Sequence, residues 1–124
     1  MIKGIGIDLI EVKRVADKIG KDKGFRELVF SKKEIYYCEK NPKKFEHYAA
    51  RFAAKEAFFK ALGTGWKKGT AFNEIEIINN KNGKPGITYL GKTANTIAKM
   101  KLGKIFISLS HLKKMASAIV IIEY

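Results

Sequence analysis

A chain of 124 residues can bury one core but is too short for two independent domains or a deep private active site, so catalysis implies help from a neighbouring subunit. Hydrophobic content of 46% and aromatic content of 11%, against 30% charged residues, exclude a disordered basic tail, and 25 Lys+Arg against 12 Asp+Glu give a formal charge of +13 that favours an anionic partner: nucleic acid, membrane surface, phosphorylated ligand or acidic protein. The single Cys38 excludes an internal disulfide and a cysteine zinc site and fits a reducing, cytoplasmic setting, and neither a membrane span of roughly 20 apolar residues nor a signal peptide is expected from the sequence.

The segment "GIGIDLI", residues 4–10, alternates: Ile5, Ile7 and Leu9 point one way and Gly4, Gly6 and Asp8 the other, which is a strand with one face cleared of side chains. From Glu11 to Ile19 an amphipathic helix places Val12, Val15, Ala16 and Ile19 on one stripe, closes at Gly20, and shows Lys13, Arg14, Asp17 and Lys18 on its other face. "FRELVF" predicts a short helix, and "SKKEIYYCEK" opens with a capping box, Ser31 with Glu34 three residues on. After the break at Asn41-Pro42 the longest element, a helix, runs from Lys43 to Leu62. "FNEIEII" and "ITYL" form a hairpin around "NNKNGKPG"; "KTANTIAKMK" is a short helix ending near Gly103; "KIFISLSHL" and "SAIVIIEY" are strands around Lys113-Lys114. The fold class is α+β, one domain over residues 1–124 with strands at both ends and a long central helix.

On the central helix Phe52, Glu56, Phe59 and Lys60 share a side, so one carboxylate is bracketed by two phenyl rings. One reading is a solvated i,i+4 pair with Lys60, worth ~0.2–0.5 kcal/mol. The other is a divalent cation neutralising a carboxylate held against aromatic surface, which needs a second oxygen ligand. Asp8, on the cleared strand face, is the acid available for that, although "DLIE" also fits an N-cap Asp8 with Glu11 three residues on. Two hard oxygen ligands plus waters suit Mg²⁺ when substrate phosphates complete its shell.

"ALGTGWKKGT" brings Gly63, Thr64, Gly65, Gly69 and two lysines directly after the helix, a weak anion-binding signal without P-loop spacing; helix termination by Gly63 accounts for it better. "SLSH" puts Ser108 and Ser110 on one strand face and His111 on the other, so a Ser-His nucleophile is not expected. No established nucleic-acid-binding pattern accompanies the basic stretches, so no nucleic acid or membrane partner is expected.

"GIGIDLIEVKRV", "RFAAKEAFFKALGTG" and "ISLSH", in this order and spanning essentially the whole chain, resemble the three motifs of holo-acyl-carrier-protein synthases, the small phosphopantetheinyl transferases. The resemblance implies transfer of the 4'-phosphopantetheine arm of coenzyme A to a serine of apo acyl carrier protein, with release of adenosine 3',5'-bisphosphate, in fatty acid biosynthesis. It implies a Mg²⁺-dependent homotrimer with active sites between subunits and an acidic carrier as partner. By position, Asp8 and Glu56 match the metal-binding acids, with Glu56, then Asp8, then His111 as candidates for the general base. Arg51, Lys55, Lys60 and the turn Gly63, Thr64, Gly65 match coenzyme A contacts, His111 the family's histidine, and Arg14 the docking surface for the carrier. Leu112 stands where the family carries a small or polar residue, and Phe58-Phe59 is expected to shape the pocket wall. A nucleic-acid-binding module and a non-catalytic adaptor for an acidic protein are the competing classes.

Overall fold

The computed structural model describes residues 1–124. In chain order it comprises β1 (Ile2–Glu11), α1 (Val12–Lys21), α2 (Phe25–Val29), α3 (Lys32–Glu39), α4 (Lys44–Leu62), a 3₁₀ turn at Phe72–Glu74, β2 (Ile75–Asn79), β3 (Pro85–Tyr89), α5 (Gly91–Lys99), β4 (Ile105–His111) and β5 (Met115–Glu123). The first and last parts of the chain meet in an antiparallel sheet of order β1-β5-β4, and β2-β3 form a separate hairpin. The α+β expectation holds, with strands at both ends and the long helix between them.

Alternation along β5 buries Ala116, Ala118, Val120 and Ile122 on one face, and α4 covers that face with Ala49, Ala50, Ala53, Ala54, Ala57, Phe58 and Ala61. Alanine on a helix brings its backbone close to the sheet, and β1 answers in kind. A Cβ at Gly4 or Gly6 would run into the carbonyl oxygens of Ala61 and Ala57. The cleared strand face read in the sequence is therefore cleared for α4, and Asp8 lies at the far end of that contact. On the opposite sheet face Ile5, Ile7 and Leu9 are 57%, 64% and 65% exposed and Phe106 is 47% exposed, an apolar surface that nothing in the chain covers.

The capping box of α3 is complete: Glu34 N donates to Ser31 Oγ at 3.2 Å and Ser31 N to Glu34 Oε1 at 2.8 Å. Other boundaries move. Helix α1 continues through Gly20 to Lys21, because the Asp22 N–H still finds the Lys18 carbonyl. Residues 72–74 tighten into the 3₁₀ turn, so β2 starts at Ile75. Asp8 is not an N-cap: β1 keeps its pairing with β5 as far as Glu11–Met115, the N-cap position falls on Glu11, and no side chain caps α1.

Candidate active site

Where β1 leaves the shelter of α4, Asp8 and Glu56 face one cavity of about 220 Å³, walled also by Arg14 and Lys18 of α1 and by Phe52 of α4. Lys60, one turn beyond Glu56, donates to Asp8 Oδ1 at 3.0 Å and to the Ile7 carbonyl at 2.9 Å. The anticipated Glu56–Lys60 pair is thus not made: the lysine serves Asp8, and Glu56 has no hydrogen-bond or ion-pair partner in the chain. Burial pushes the Glu56 carboxyl above the usual carboxylate range, the charge of Asp8 adds to this, and Lys60 opposes it. A half-buried, unpartnered carboxylate beside a second acid calls for a cation or a proton. No third His, Cys, Asp or Glu joins the two acids. Of the rings expected to bracket Glu56, Phe52 lines the cavity, whereas Phe59 turns into the core against Phe72, 5.3 Å between ring centroids.

Lys55, one residue before Glu56, faces the other way. It is 0% exposed, and its ammonium donates to the Val29 carbonyl, the Phe72 carbonyl and Glu34 Oε1, each at 2.7 Å. Glu34 Oε2 in turn accepts the Ile77 N–H at 3.0 Å. An ammonium has three donors, and all three are used. The expectation that Lys55 contacts coenzyme A is therefore corrected: it ties α4 to α2, α3 and the 3₁₀ turn that precedes β2. Phe58 and Phe59 are likewise core residues rather than pocket wall.

Arg51 and His111 line a second cavity, about 200 Å³, between α4, the β2-β3 hairpin and β4. The Arg51 guanidinium lies 4.2 Å over the Tyr37 ring and donates to Asn79 Oδ1 at 2.6 Å, but its buried Nε has no acceptor. His111 Nδ1 is 2.8 Å from Glu46 Oε1, and the His47 ring stands edge-on to His111 at 5.1 Å. The two cavities lie about 10 Å apart across two strand spacings, since Asp8 pairs with Ala118 and Ala118 with Leu109, and Arg51 precedes Glu56 by about 8 Å along α4. Asp8, Glu56, Lys60 and Arg14 form one group, and Arg51 and His111 another. Gly63, Thr64 and Gly65 form an exposed turn at the α4 C-terminus, with Gly63 in the left-handed region at φ 81°, and line neither cavity. The Thr64 hydroxyl donates to its neighbour's carbonyl, Gly65 O, at 2.9 Å. Leu112 is exposed just past His111.

The sequence reading places Lys18 only on the outer face of α1 and assigns no role to Glu46 or His47. Lys18 stands four residues after Arg14 on one helix face, a spacing that could have signalled it; His47 stands likewise four before Arg51. Nothing local signals Glu46.

Residues 4–118 match the 4'-phosphopantetheinyl transferase superfamily. The chain is 47% identical to a holo-(acyl-carrier-protein) synthase of Cytophaga hutchinsonii, over 98% of this chain and 97% of that protein, and 46% identical to one of Clostridium tetani, over 99% and 97%. Among solved structures it is similar to the holo-(acyl-carrier-protein) synthase of Neisseria meningitidis, with a TM-score of 0.90, 30% identity and full coverage of both chains. The Bacillus anthracis synthase in complex with CoA (3',5'-ADP) matches with a TM-score of 0.81 and 36% identity, over 99% of this chain and 97% of that one. The Helicobacter pylori synthase in complex with coenzyme A matches with a TM-score of 0.83 and 30% identity, over 96% and 99%.

Proposed function

The chain belongs to the 4'-phosphopantetheinyl transferase superfamily, and from that premise we propose that it transfers the 4'-phosphopantetheine group of coenzyme A to a serine of apo acyl carrier protein, as a holo-acyl-carrier-protein synthase of fatty acid biosynthesis. The observation that carries this reading is the unpartnered Glu56 facing Asp8 across a cavity rimmed by Arg14 and Lys18.

The serine oxygen forms a bond to the phosphorus that carries the pantetheine, the bond from that phosphorus to the bridging oxygen breaks, and adenosine 3',5'-bisphosphate departs. Charge grows on the leaving phosphate, and the serine must lose its proton. Glu56 suits that proton because no other group of the chain competes for its oxygens and burial favours its protonated form. Asp8, committed to Lys60, is the less available base, and His111 is at the other cavity. Lys60, anchored on the Ile7 carbonyl, brings a positive charge to the same edge for the departing phosphate.

A divalent cation fits this donor set. Two carboxylates with no third protein ligand match a hard ion that keeps waters and takes phosphate oxygens. Asp8 and Glu56 would hold Mg²⁺, and when bound it supplies charge neutralisation at the pyrophosphate. The Arg51 and His111 cavity, with its free Nε, suits another anionic part of coenzyme A.

Its distance from Asp8 and Glu56 supports a site completed between subunits, and the uncovered apolar face of Ile5, Ile7, Leu9 and Phe106 supports assembly, read here as a homotrimer. The acidic carrier docks on α1 at Arg14, where the charge of +13 steers it. No helix is long and apolar enough to cross a membrane, and the proposed location is the cytoplasm, where the carrier and coenzyme A are met.

The test is the intact mass of an apo acyl carrier protein incubated with this protein, coenzyme A and Mg²⁺. A gain of one phosphopantetheine that EDTA abolishes is expected. No gain on a carrier that another transferase modifies would overturn the reading and favour an adaptor.

A further inference from the structure

Glu46 and His47, in the first turns of α4, have no part in the chemistry above, yet they hold a residue that does. Glu46 Oε1 lies 2.8 Å from His111 Nδ1, with the two side chains 14% and 28% exposed. A carboxylate only accepts, so Nδ1 carries the hydrogen in this contact and Nε2 is the single ring nitrogen left for a ligand. His47 closes the other side. Its ring stands edge-on to His111 at 5.1 Å and edge-on to Tyr37 at 5.4 Å, and the Tyr37 ring carries the Arg51 guanidinium at 4.2 Å. A half-turn of the His111 ring would break the Glu46 bond and present a different atom to the cavity.

Glu46 does not line that cavity, whereas His111, His47, Arg51 and Asn79 do. Arg51 is 2% exposed, uses Nη2 on Asn79, and keeps a buried Nε without an acceptor. One buried donor is thus open, and one imidazole is fixed in tautomer and direction by a carboxylate standing outside the cavity. A negative charge inside would repel phosphate; placed behind the imidazole, it orients the ring instead.

We propose that Glu46 is a positioning residue for coenzyme A, acting through His111 rather than by touching the ligand. This rests on the reading that coenzyme A uses Arg51 and His111. It adds the residue that decides which nitrogen of His111 coenzyme A meets, and it assigns this residue to binding and not to phosphoryl transfer.

The test pairs Glu46→Leu, which removes the acceptor, with Glu46→Gln, which keeps one. Coenzyme A affinity by calorimetry and KM for coenzyme A should weaken roughly two- to tenfold in the Leu variant, the range of one lost positioning hydrogen bond. The Gln variant should stay within about twofold of the unaltered protein. In both variants kcat and the KM for the carrier should hold. In ¹⁵N spectra of the unaltered protein His111 Nδ1 should carry a hydrogen, and the Leu variant should lose that preference. This spectrum needs no variant to fold, and an Nδ1 without hydrogen would overturn the proposal. So would coenzyme A binding that ignores the Leu substitution, equal weakening by Leu and Gln, or a fall in kcat alone. If the unaltered protein bound no coenzyme A, the functional reading itself would fail; binding that the Leu variant does not alter sinks only the role of Glu46.

Discussion

Two faces of α4 carry charge in adjacent residues, and they differ in one respect. On the inner face Lys55 is wholly buried and every donor it owns is matched by a carbonyl or by Glu34. On the cavity face Glu56 is half-buried, and none of its oxygens is matched. Both belong to the same motif, so motif membership does not separate a residue that holds the fold from one that awaits a ligand. Accounting for hydrogen bonds does, because a buried polar group left unpaired costs stability and is retained only where something else pairs with it.

The largest effect expected from breaking this comparison is on its inner side. Lys55→Met removes the cation from Glu34, whose oxygens also hold the Ser31 and Ile77 amides, and should lower unfolding free energy by about 3–5 kcal/mol in denaturant titrations. Coenzyme A affinity of the folded protein should be unchanged. Unaltered stability with lost affinity would return Lys55 to the phosphates.

A smaller effect is expected at the rim. Arg14→Glu should raise KM for the carrier about tenfold and spare coenzyme A affinity, as for a charge that meets a macromolecular partner. Equal damage to both would place Arg14 among the phosphate contacts.

The smallest concerns the other end of α4. His47 has its pKa lowered from 6.5, chiefly by burial, then by the charges of His111 and Arg51, with Glu46 opposing and Lys43 adding a little. The unfolded chain therefore binds the proton more readily. Stability conferred by the neutral ring is present above the unfolded value, and it falls as pH drops through 6.5 toward the folded value. Melting temperatures between pH 7.5 and 5 should decline less in His47→Phe; an identical decline would show that the ring does not carry this linkage.

Much of this was legible in the sequence. The alternation at 4–10 located β1, and Ser31 with Glu34 located the start of α3, because each is a local rule satisfied by neighbouring residues. Asp8 was ambiguous for the same reason: "DLIE" satisfies the capping rule, but long-range pairing of β1 with β5 through Glu11 overrides it. Periodicity tells that Phe59 shares a side of α4 with Glu56 but not what that side meets, and it is motif position alone that groups Lys55 with the coenzyme A contacts. The Glu46–His111 contact joins residues 65 apart and has no local signature. The apolar face of Ile5, Ile7 and Leu9 was visible as alternation, while its lack of cover needed the fold.

The central claim is that Glu56 serves the reaction and not the fold. Its most direct test is kcat and melting temperature measured side by side for Glu56→Gln, which keeps the shape and removes the charge. The account predicts a fall in kcat of about 10²-fold or more, the scale of a lost base, with the melting temperature unchanged or slightly raised. Full turnover, or a loss that merely follows a lowered melting temperature, would contradict it.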